Sequence, residues 1–148
     1  MRLLLMLLLG LGIAPVAFNA PTVAQTKKIP DKVRAVRTVQ GTFTNFEMGD
    51  YLHANFKTST GKQLSLFVMK PGMEYFLAVH QGKLLTLKYE VVDTYIPEAD
   101  GMTKIERLAS ASAGKVSYES WWKTTKAKYP GEAAHRKYGS LVEKYTEN

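Results

Sequence analysis

From Val33 to Tyr95 apolar residues recur mostly at every second position, the spacing of strands with one face buried. In VRAVRTVQGTFTNFE, Val39, Gly41 and Phe43 share one face, and Thr38, Gln40, Thr42 and Thr44 the other. Val33 and Ala35 join the first face, but Val36 and Arg37 break the phase. A bulge or strong bend restores it, and Gly41 makes a sharp coil sterically accessible. Met48 to Asp50 reads as a turn. YLHANFKT then alternates, with Leu52, Ala54 and Phe56 inward and Tyr51, His53, Asn55 and Lys57 outward. STGK is a hairpin turn with Gly61 where positive φ is needed. QLSLFVM places Leu64, Leu66 and Val68 inward and Ser65 and Phe67 outward.

The period then changes. After Pro71 and Gly72, residues Met73, Phe76, Leu77 and His80 fall on one helical face. Glu74 suits the first turn and Gly82 the stop. KLLTLKYEVVDTY returns to period two, with Leu85, Leu87, Tyr89 and Val91 on one face. IPEADGM is a turn-rich loop, and TKIERLAS a short final strand that buries Ile105 and Leu108. From Ser117, a plausible N-cap, Tyr118, Trp121, Trp122, Thr125 and Tyr129 keep helical spacing up to Pro130 and Gly131. Ala134, Tyr138, Leu141, Val142 and Tyr145 repeat it.

The prediction is a mainly β chain of five strands, with a short helix between strands 3 and 4 and a C-terminal helical pair. This order, with a glycine in the long first strand, resembles that of small exported bacterial OB-fold proteins. The resemblance spans residues 33–110 and implies a five-stranded Greek-key barrel. A six-stranded meander is the alternative. Residues 111–148 then form a helical extension packed on the barrel.

Residues 1–24 stand outside this fold. Arg2, the apolar run Leu3 to Ile13 and the small residues after it make a secretory signal, with cleavage expected after Ala24. An uncleaved anchor is the alternative. The expected location is the periplasm or outside the cell, and residues 25–32 are a polar tether. The chain carries a net charge of +7, or +6 without Arg2, and no cysteine. That rules out disulfides, thiolate metal sites and thiol nucleophiles. The basic balance favours anionic surroundings. Nucleic acid is a weaker expectation because the chain is exported.

Candidate chemistry is sparse. No nucleophile elbow, phosphate loop or zinc-protease motif is present, so a non-catalytic module without metal or cofactor is expected. His80 lacks ligand partners on its helical face and reads as a helix end. The binding candidates are Tyr51, His53, Lys57 and Phe67 on the outer face of strands 2 and 3, the face that OB-folds commonly use. Their rings suit stacking and Lys57 suits an anion, so the ligand is expected to be anionic or ring-bearing. Alternatively the C-terminal helices cover this face and make its rings core. Lys123, Lys126, Arg136 and Lys137, interleaved with aromatics, are the candidates for contact with an envelope protein or, peripherally, a membrane. A solvated helix face is the commoner explanation of such charges.

Overall fold

The computed structural model describes residues 29–147. The proposed signal segment and the first half of the tether lie outside the described residues. The fold is mainly β with three helices. In chain order it runs β1 (Lys32–Met48), β2 (Leu52–Thr58), β3 (Gln63–Phe67), α1 (Met73–Val79), β4 (Leu84–Ile96), β5 (Gly101–Ala113), β6 (Val116–Ser117), α2 (Tyr118–Lys128), α3 (Ala133–Lys144) and β7 (Thr146–Glu147). A single 3-10 turn, Pro97–Ala99, joins β4 to β5.

Five strands pair in a ring: β1 with β2, β2 with β3, β3 with β5, β5 with β4, and β4 back to β1. Every pairing in it is antiparallel except β3 with β5. The long first strand makes this arrangement workable. Its first part pairs with β4 and its second with β2, and Gly41 and Thr42 pair with both. A Cβ on Gly41 would lie 3.1 Å from the Lys57 carbonyl oxygen, so the residue is small where strands crowd.

Bulges settle the broken phase of β1. Arg34 is the extra residue against β4, and Thr44 against β2. The second bulge turns Phe46 inward beside Phe43, with ring centroids 4.5 Å apart. The first leaves Val33 exposed, against its expected inward placement. β4 also switches faces. Leu85, Leu87 and Tyr89 are buried as expected, but beyond them Val92, Thr94 and Ile96 are buried instead of Val91. Ala109 is the extra residue in β5 at this switch. β4 ends within one residue of its expected bound, but β5 extends beyond TKIERLAS at both ends, so the two pair over their whole length as a ribbon.

The central core gathers Phe43, Phe46, Phe56, Leu66, Leu85, Leu87 and Leu108 under α1, which inserts Met73, Phe76 and Leu77. α2 and α3 pack against α1. Tyr118 and Trp121 meet Phe76 edge-on, at 6.1 and 5.6 Å between centroids. The Ser117 hydroxyl caps α2 by accepting from the Ser120 amide. The chain end then adds β7, unforeseen in the sequence, beside β1 in parallel. Asp31 is more than tether, since its carboxylate accepts from Thr94 Oγ1 and Arg107.

Glu74, in the first turn of α1, is half-buried. Burial pushes its carboxyl above the ordinary value of 4.5, against the lowering pull of the Glu74 and Gly72 amides and His135. The folded chain therefore holds this proton to higher pH than the unfolded chain. Stability falls as pH rises from about 4.5 through the raised value, and stays lower above it. Glu74→Gln is expected to raise Tm at pH 7 and flatten its dependence between pH 4 and 7 in thermal melts. A lower Tm at pH 7 would contradict this origin of the cost.

Candidate functional site

The β2–β3 hairpin register sets the site. His53 lies opposite Phe67, Asn55 opposite Ser65, and Lys57 opposite Gln63. Period two sends all six to the outer face. The His53 and Phe67 rings are 4.1 Å apart, and Tyr51 lies 6.0 Å from Phe67. Ser65 Oγ and His53 Nδ1 are 3.4 Å apart. Three of the four expected binding residues thus form one cluster. Lys57 does not join it. It sits four residues along β2 from His53, roughly 13 Å at strand rise, and its side chain is exposed.

The ribbon of β4 and β5 supplies the opposite wall. Ile96, Glu98, Thr103 and Ile105 face Tyr51, His53 and Phe67 across a groove of about 240 Å³. The Tyr51 hydroxyl donates to Glu98 Oε2 at 2.8 Å, which ties the ribbon tip to the start of β2. This hydrogen bond is the main cause that raises the Tyr51 pKa, with desolvation and the Glu98 and Asp50 charges adding to it. A second groove of about 540 Å³ continues along the same face, lined by Thr44, Asn45, Asn55, Gln63, Ser65 and Glu147 among others. Asn55 and Ser65 directly follow His53 and Phe67 in the register, so the two grooves adjoin.

The electrostatics differ from expectation. Asp50 and Glu98 line the first groove and Glu147 the second, and among the described residues no lysine or arginine lines either. Arg107 pairs with Phe67 in the strand register, but its guanidinium is held by Asp31 and Glu90.

The C-terminal helices do not form the cover considered for this face. They pack on α1, where Trp121, Trp122 and Tyr138 join one aromatic cluster with Tyr75 and Phe76. Lys123, Lys126, Arg136 and Lys137 are exposed on α2 and α3, and none makes an ion pair among the described residues.

His80 is buried at the end of α1. Its Nδ1 donates to the Phe76 carbonyl at 2.8 Å, and its ring lies 4.3 Å from that of Phe76. Among the described residues no group of three or more His, Cys, Asp or Glu is placed to hold a metal ion.

Ile96, Glu98, Thr103 and Ile105 are the site residues that the sequence pattern missed. Their segment read as loop and short strand, and only the bulge at Ala109 turns Ile105 to this side. Asn55 and Ser65 were visible as outward polar positions, but their share in a groove depends on register. Comparison of the chain with protein-family models, with curated proteins and with solved structures finds no match.

Proposed function

We propose that the five-strand ring is an OB-type Greek-key barrel, and that the chain is an exported, non-catalytic binding module for a ring-bearing ligand. The strand order 1-2-3-5-4-1, with a helix between β3 and β4, supports the fold reading. The cluster of Tyr51, His53 and Phe67 on the floor of a groove carries the functional one. An aromatic floor beside amides, hydroxyls and carboxylates suits a pyranose: its apolar face stacks on Phe67, and its hydroxyls bond to His53 and Glu98. Further rings of a chain would meet Asn55, Ser65 and Gln63. The anionic half of the expectation loses support, because carboxylates and not lysines line the grooves.

Titration of the full chain with chitohexaose, cellohexaose and polygalacturonate tests this. A neutral hexasaccharide is expected to bind, and Phe67→Ala to weaken it about 10- to 100-fold, the range of one lost ring stack. Tm should move by less than about 5 °C, as for the loss of a half-buried side chain. Unchanged affinity in Phe67→Ala would sink the reading. Binding of an oligothymidylate that collapses with salt would favour nucleic acid instead.

A second reading has its own support. Lys123, Lys126, Arg136 and Lys137, exposed and without an ion pair among the described residues, suit an acidic envelope protein or the headgroups of an anionic membrane.

A further inference from the structure

We propose that the groove between α1 and the α2–α3 turn binds a quaternary or methylated ammonium group. This site lies apart from the β2–β3 face and does not depend on its reading. The groove has a volume of about 320 Å³ and is lined by Glu74, Tyr75, Trp122, Glu132 and His135, with Pro71, Gly72, Gly131 and Ala134 completing it. That volume lies within the roughly 300–1,000 Å³ of small-molecule sites.

Its chemistry runs against the rest of the chain. The protein carries a net charge of +7, yet two carboxylates meet in this groove. Among the described residues that line it, His135 is the sole side chain able to carry positive charge, and it points its Nδ1 at Tyr75 Oη, 3.4 Å away. Glu132 makes no capping hydrogen bond with its side chain and no ion pair among the described residues.

The aromatic half matches the acidic half. The Tyr75 and Trp122 rings stand 6.1 Å apart with 45° between their planes. Both rings line the groove, so a cation seated there within about 6 Å of a centroid makes a cation–π contact. Both rings have packed neighbours: Tyr138 lies 6.0 Å from Tyr75, and Trp122 stacks with Trp121 and lies over Gly72. A site already rigid binds without the cost of ordering these side chains. Methylated ammonium fits better than a bare ammonium ion or metal because its surface is apolar and weakly hydrated, while its charge still meets Glu74 and Glu132.

The test is a titration of the full chain with choline chloride, followed by tryptophan fluorescence at constant ionic strength. The neutral isostere 3,3-dimethylbutan-1-ol is the control. Choline is expected to bind about tenfold more tightly than the alcohol, within the range of cation–π pairs. The double change Glu74→Gln and Glu132→Gln should weaken choline about tenfold, with melting retained. Phosphatidylcholine vesicles distinguish the source of the group. Capture that free choline reverses assigns a lipid headgroup, and choline binding without capture assigns a small dissolved cation. Choline no tighter than the alcohol, unchanged affinity in the double variant, or vesicle capture that choline leaves untouched would overturn the site.

Discussion

A chain ending at Lys115 is expected to lose cooperative folding, because the C-terminal helices are structural members of the core. Tyr118 is buried, donates its hydroxyl to the Pro71 carbonyl at 2.7 Å, and meets Phe76 edge-on. Burial holds its phenol up to about 12. Trp121 covers Phe76 and His80. At the far end of α3, Tyr145 meets Phe43 at 6.3 Å, and its carbonyl accepts from the Phe46 amide at 2.7 Å. Losing one fully buried large aromatic costs about 3–5 kcal/mol, and a half-buried one less. Losing buried Tyr118 together with half-buried Trp121 and Tyr145 is then comparable with the roughly 5–15 kcal/mol that a domain has in total. Phe43, Phe76 and Leu77 would also face water. Near-ultraviolet circular dichroism and a thermal melt provide the check, with loss of the sharp transition expected. A shortened chain that still melts sharply within about 5 °C of the full chain would make the helices an appendage. It would then favour the reading in which their basic face only docks the protein.

The same helices show which parts of the fold were legible. Helix α1 was readable because all four residues at helical spacing, Met73, Phe76, Leu77 and His80, are buried. α2 was readable from both ends, with Ser117 capping it and Pro130 and Gly131 closing it. Where the two helices pack was not readable. The aromatic stripe on α2 is equally compatible with a sheet face and with another helix. Gly72 decides the matter, since its bare Cα lets Trp122 lie against α1.

The strands illustrate a different limit. Hairpin register is local, so the pairing of His53 with Phe67 followed from the STGK turn and the alternation on both sides. Bulges are not local. The residue that a strand skips depends on a partner far away in sequence, so the switch from Tyr89 to Val92 in β4 left no mark in period two. Half of the candidate groove therefore stayed hidden: its floor is hairpin register, and its wall is the bulged ribbon. Lys57 failed to join for a related reason. Shared strand parity puts residues on one face but not at one end of it.

Gly72→Ala is expected to be among the most destabilising single changes to a small residue in this chain, by about 3 kcal/mol or more. Two independent effects combine. Gly72 holds φ at +80°, a left-handed conformation that costs an L-residue about 1–2 kcal/mol. A Cβ there would also collide with the six-membered ring of Trp122. The tip of a flexible side chain could yield, but Trp122 is flanked by Trp121 at 6.4 Å and Tyr75 at 6.1 Å. Moving it forfeits both ring contacts, each about 0.5–1.5 kcal/mol. The two costs separate in a double-mutant cycle with Trp122→Ala. In the Trp122→Ala background, Gly72→Ala should retain only the backbone cost of about 1–2 kcal/mol. Gly82, with φ at +81° and open space where its Cβ would go, is the control: Gly82→Ala should show that backbone cost alone in the natural background. Equal losses for Gly72→Ala and Gly82→Ala would mean that the ring yields freely, and that the seat of α2 on α1 is looser than this packing requires.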